Sequence, residues 1–149
     1  ITLYQAAQTE DEQLLYLQAM GNAGDPRTLP LLQSALQSPS SAVRSAATHA
    51  LRFINATPVD ALLAQLLAQD SSSEVRRAAI FACSFRQIVA VLPSLQKALS
   101  SDKEATVRQD ALQLLARHRE LPTVMQLIRT AAERDPSPEV RRAAAELVR

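Results

Sequence analysis

Tryptophan is absent from this 149-residue chain, glycine occurs twice, cysteine once, and the aromatic residues are three phenylalanines and two tyrosines. Gly21 and Gly24 lie in one short stretch. They cannot build the glycine-rich loops that cradle phosphates in dinucleotide and nucleoside-triphosphate folds. One cysteine, Cys83, excludes an internal disulfide. Together with two distant histidines, His49 and His118, it leaves no zinc-ligand spacing. Long apolar runs are missing as well. The longest uncharged stretch, 28–43, contains Pro30, Pro39 and five serines or threonines, and a membrane-crossing helix needs about 20 mostly apolar residues. Nor does one sign of charge dominate: sixteen basic against fifteen acidic residues leave +1. That balance disfavours charge-driven disorder and a strongly basic nucleic-acid surface.

What the chain does have is 47% hydrophobic residues, with Ala, Leu, Gln and Arg prominent, all strong helix formers. No run alternates apolar and polar residues as a half-buried strand would. The chain therefore reads as all-α. It also repeats. Blocks led by Val43, Val75, Val107 and Val140 (Val43-Arg-Ser-Ala-Ala-Thr-His-Ala-Leu51 is the first) recur at spacings of 32, 32 and 33 residues, and Glu12–Met20 is a degenerate earlier copy. Repetition at such a period is the signature of stacked supersecondary units.

Counting each leading valine as i, apolar residues fall at i, i+3, i+4, i+7 and i+8, the stripe of a helix with one buried face. A second apolar helix is expected between blocks, over Leu29–Leu36, Val59–Leu67, Ile88–Leu99 and Val124–Ala132. Gly24-Asp25-Pro26 reads as a left-handed helix end, a cap and a proline at the first helical position. Thr57-Pro58 and Ser137-Pro138 read as further cap-then-proline starts. Each repeat is thus two antiparallel helices, and the expected architecture is an α-solenoid. The reading is one domain spanning 1–149, with a partial first repeat at 1–24 and helix pairs at 26–55, 57–86, 88–119 and 121–149. A chain that opens on Ile1 and closes in helical pattern at Arg149 reads as a piece of a longer protein.

An acid precedes the block arginine by six residues: Asp70 and Arg76, Asp102 and Arg108, Asp135 and Arg141, with Ser38 standing before Arg44. Such groups can pair within a repeat or bridge to the next, forming a ladder that is mainly architectural. Asp110 stands where sister repeats have Ala46, Ala78 and Ala143, and a carboxylate there calls for a partner. Arg76, Arg77 and Arg142 are the nearest candidates, with Asp110 an inter-repeat acceptor. Cys83 takes a buried leucine position and reads as a small hydrophobe.

The Asp-x5-Arg spacing, the Val-Arg-x-Ala-Ala-x-x-Ala-Leu block and the turn Gly24-Asp-Pro-Arg-x-Leu-Pro-Leu-Leu32 resemble HEAT repeats, particularly the short bacterial kind related to phycobilin lyases. Leu15–Gly24, Val75–Ile80 and Val107–Leu115 are also similar to the helical domain of vitellogenin-type lipid-transfer proteins. That likeness implies a support layer, with lipid bound only through other parts of the parent protein.

In a stacked solenoid the block helices form one curved face, often the binding surface. Positions i+5 and i+6 are expected to point to solvent. They read Leu17, Thr48, Ile80, Leu112, Ala145 and Gln18, His49, Phe81, Gln113, Glu146. The candidate partner-binding residues are His49, Arg52, Arg77, Ile80, Phe81 and Gln113. Residues 1–70 carry −3 and 71–149 carry +4, but each arginine has an acid nearby and aromatic platforms for bases are missing, which disfavours nucleic acid. Nothing nominates a nucleophile, a general base or a cofactor site. The reading is a non-catalytic scaffold for another protein or another segment of its own chain, with a lipid-transfer support domain and a bilin-lyase-like or nucleic-acid-binding protein as the alternatives.

Overall fold

The structure, a computed structural model, describes residues 2–149. The chain divides into two compact units, one ending at Gln87 and one beginning at Ile88. The described residues hold helices and turns, without strands. The fold is all-α, of the α-solenoid class: antiparallel helix pairs stacked within each unit.

The first unit contains α1 (Thr2–Gln5), α2 (Glu10–Ala23), α3 (Leu29–Ala35), α4 (Ser41–Ala50), α5 (Pro58–Gln69) and α6 (Ser73–Cys83). Helices α3 and α4 form one pair and α5 and α6 the next, while α2, α4 and α6 pack side by side. The second unit contains α7 (Ile88–Ser101), α8 (Ala105–Leu115), α9 (Pro122–Arg134) and α10 (Pro138–Leu147). There α7 packs on α9 and α8 on α10. All four leading valines are buried, and burying each such side chain contributes about 1.5–3 kcal/mol.

Local chemistry sets the helix ends. At α2, Thr9 and Glu12 form a reciprocal capping box, which satisfies two otherwise orphaned backbone donors. Gly24 ends that helix at φ 60°, a conformation glycine adopts without a Cβ penalty. Asp25 then accepts from the Arg27 backbone N–H at 2.9 Å, opening a short 3-10 turn at Pro26. Ser137 caps α10 by accepting from the Val140 N–H. Thr57 does not act as the expected cap. It is already helical, at φ −51° and ψ −39°, and its hydroxyl makes no cap bond, because the turn has begun by Ala56, whose carbonyl accepts from Val59.

The acid–arginine spacing forms a two-way clamp. Within each repeat the arginine Nη1 donates to the carbonyl six residues back: Arg44 to Ser38 at 2.9 Å, Arg76 to Asp70 at 2.9 Å, Arg108 to Asp102 at 2.8 Å and Arg141 to Asp135 at 2.6 Å. The carboxylate serves the preceding repeat. Asp70 accepts Arg44 bidentately at 2.9 and 3.0 Å, and Asp135 accepts Arg108 at 2.8 and 2.8 Å. The same acids also accept the backbone N–H two residues on, at Ser72 and Ser137, as Asp102 does from Glu104. Burial alone would raise the Asp70 and Asp135 carboxyls, but the arginine and N–H bonds outweigh it and hold both below the usual carboxylate range. Ser38 fits this scheme without a carboxylate. Its carbonyl still receives Arg44, its hydroxyl accepts from Ser40 at 3.2 Å, and the degenerate first copy has Gln13 where the others have arginine.

One expectation is corrected. In the first four copies position i+5 does not face solvent, though Ala145 in the last is part-exposed: Leu17, Thr48 and Leu112 are fully buried and Ile80 is 3% exposed. At about 100° per residue, i+5 lies about 140° from the valine and i+6 about 240°. A block helix flanked by neighbours buries the broad arc that includes i+1 and i+5. It leaves i+2 and i+6 outside.

Candidate functional site

The i+6 and i+10 positions lie one helical turn apart on the outer arc of the block helices. In the second and third copies they are His49 and Phe53, then Phe81 and Phe85. A 3-10 turn at Leu51–Phe53 continues α4 far enough to carry Phe53, and Phe85 follows the end of α6 with its N–H on the Ala82 carbonyl. Since α4 packs against α6, the four rings form one cluster. His49 and Phe81 are 5.0 Å apart, Phe81 and Phe85 5.3 Å, and Phe53 and Phe85 5.0 Å, the two phenylalanine pairs edge to face. Edge-to-face pairs contribute about 0.5–1.5 kcal/mol each beyond area burial.

All three phenylalanines of the chain are in this cluster, and all are exposed: Phe53 at 48%, Phe81 at 45% and Phe85 at 45%. In a chain with so few aromatics, placing three together on the outer arc leaves a contiguous apolar surface of the kind that marks contact sites.

Arg52 closes one side. Its guanidinium carbon lies 4.8 Å from the Phe53 ring centroid. Nη1 donates to the His49 carbonyl at 2.9 Å and Nη2 to Asn22 Oδ1 at 2.5 Å. Gly21 makes room for this. A Cβ there would stand 2.7 Å from Ala50 Cα and 2.9 Å from Arg52 Nη1, so the glycine permits close α2–α4 packing and lets the guanidinium lie across it. Beside the rings runs a groove of about 420 Å³ between α2 and α4, lined by Leu14, Gln18, Asn22, Ala46, His49, Ala50, Arg52 and Phe81.

The expected surface residues are placed as follows. His49, Arg52 and Phe81 come together. Arg77 is exposed on α6, one turn before Phe81, and Ile80 is buried beneath it. Gln113 is exposed on α8 in the second unit. The sequence reading passed over Phe53, Asn22 and Leu14, although Phe53 and Phe85 share the same register, 32 residues apart.

Little here suits bond-making chemistry. Burial first, and the Arg52 charge second, lower the His49 pKa, so the ring is neutral at pH 7. Cys83 is buried, and burial pushes its thiol up to about 12, which suppresses the reactive thiolate. His118 lies at a helix end, 3.6 Å from Glu120. Among the described residues no group of three His, Cys, Asp or Glu could hold a metal ion, and no helix is long and apolar enough to cross a membrane.

Comparison with known families gives one result. A family model described as HEAT repeats matches residues 2–84 and 92–149, nearly the whole chain. The unmatched stretch, 85–91, spans the junction of the two compact units. No curated protein matches the chain.

Proposed function

Because this chain belongs to the HEAT-repeat family, whose repeats generally serve as typically non-catalytic scaffolds for protein–protein interaction, we propose that it binds a polypeptide partner through the outer face of α4 and α6. The observation that carries this reading is the cluster of exposed Phe53, Phe81 and Phe85 beside the α2–α4 groove. Burying half-exposed rings against a partner supplies the apolar anchors that dominate interface energies, and arginine is the charged residue most often found with them. Arg77 extends the surface along α6. Asp110, half-buried on α8, is assigned to the architecture with the loop clamps.

Site-specific photocrosslinking tests the assignment. A benzophenone amino acid at position 81 or 18 is expected to trap a protein partner in the source-cell lysate, whereas one at exposed Gln65 on α5 is not. Equal capture at all three positions would remove the α4–α6 face from consideration.

A further inference from the structure

Resting on the reading that this face binds protein, we propose that the partner is an acidic segment in which one large apolar side chain, such as Leu or Phe, is flanked by Asp or Glu. The apolar side chain fills the α2–α4 groove against Leu14, Ala46, Ala50 and Phe81, and a flanking carboxylate meets Arg52.

The argument starts from charge. In the first unit Arg27, Arg44 and Arg86 each pair with a carboxylate, on Asp25, Asp70 and Asp60. Arg52 differs. The two acceptors that orient it are a backbone carbonyl and the Asn22 amide oxygen, both neutral. Among the described residues no carboxylate forms an ion pair with it. It is half-buried at the groove's edge, where solvent screens a charge less than it does on an open surface. The surrounding register points the same way. The outer-arc positions i+2, i+6, i+9 and i+10 of the first three copies contain two arginines, Arg52 and Arg77, and no Asp or Glu. An apolar surface whose edge carries, in Arg52, a cation oriented by neutral acceptors is complementary to a segment that is apolar and anionic. Two arginines are too few to track a phosphate backbone, which several cations normally neutralise.

The test is selection of random dodecapeptides on the full chain, followed by affinity measurement with the best peptide made synthetically and fluorescently labelled. The enriched peptides are expected to carry net negative charge around a single Leu, Phe or Trp. Binding should weaken by about tenfold or more in Phe81→Ser and by about threefold to tenfold in Arg52→Gln, with Arg52→Lys retaining part of it. The Arg52 effect should shrink as salt is raised. Circular dichroism melts confirm that each variant is folded, and Arg77→Gln, at an exposed position on α6, gives a second reading of the charge effect.

Peptides that need Phe81 but are neutral or basic, or that ignore both arginine substitutions, would overturn this proposal and leave the protein-binding face standing. Selection that yields no peptide, or only peptides indifferent to Phe81, would overturn both. Tighter, Arg52-dependent binding of a single-stranded oligonucleotide would overturn the proposal by assigning the face to nucleic acid.

Discussion

The loop edge and the outer helix face run on the same 32-residue register and use it in opposite ways. At the loop edge the pattern barely changes: Arg44, Arg76, Arg108 and Arg141 each reach back to the carbonyl six residues before. On the outer face, i+6 and i+10 pass from Gln18 and Asn22 to His49 and Phe53, then Phe81 and Phe85, then Gln113 and Arg117. A position that the stacked repeats need is filled alike in the four regular copies, where the arginine recurs each time. A position free of that duty can change, and here it becomes aromatic in two adjacent copies only. Uniformity along the register fits architecture, and departure from it is where the proposed partner surface lies.

The sharpest way to break that comparison is to cut the clamp. Asp135→Ala leaves Arg108 buried without its carboxylate and removes the Ser137 N–H acceptor. Urea unfolding should show a loss of about 3–5 kcal/mol, the usual range when one partner of a buried pair is removed. Gly21→Ala comes next, at about 1–3 kcal/mol by overpacking, since its Cβ would press on the Ala50 backbone. Gly24→Ala should cost a similar amount, about 1–3 kcal/mol, because the new side chain must hold a left-handed backbone and its Cβ would stand 2.9 Å from Phe53 Cβ. Phe81→Ser should cost about 1–2 kcal/mol, because the half-exposed ring gives up its contacts with His49 and Phe85, while abolishing crosslinking to the partner. If Phe81→Ser instead destabilised the chain as much as Asp135→Ala, the division between architecture and binding face would be lost.

Acidity separates the regions again. Asp70 and Asp135 have folded pKa values below the unfolded value of about 3.9. The unfolded chain therefore takes up their protons first, and the clamp's contribution, complete above about pH 4, is lost as pH falls through the folded values. Asp135→Asn should flatten that acid limb. The smallest effect belongs to His49, whose folded pKa lies below its unfolded value of about 6.5. Stability should decline slightly as pH falls from about 6.5 to the folded value and then level off, and His49→Gln should remove the decline.

Much of the clamp was legible because it is written in the backbone's own needs: a helix start, an acceptor for its amides, a cation beside it. The outer face was less so. Positions i+5 and i+6 differ by one step around the helix, and whether Ile80 or Phe81 meets solvent depends on how broadly neighbouring helices cover it. Phe53 was missed because it lies beyond the regular helix, on a 3-10 turn that periodicity does not register, although its match with Phe85 was available in the numbering. Thr57 illustrates a different limit, since a threonine before a proline marks a helix start without determining which residue caps it.

The chain's composition offers an unusually direct test, because its three phenylalanines are all in the proposed site. Incorporating 4-fluorophenylalanine should give three fluorine resonances, all sensitive to solvent, and adding the crosslinked partner should shift or broaden all three together. Three resonances unmoved by a partner that still binds would contradict the claim that the α4–α6 aromatic face is the surface this protein uses.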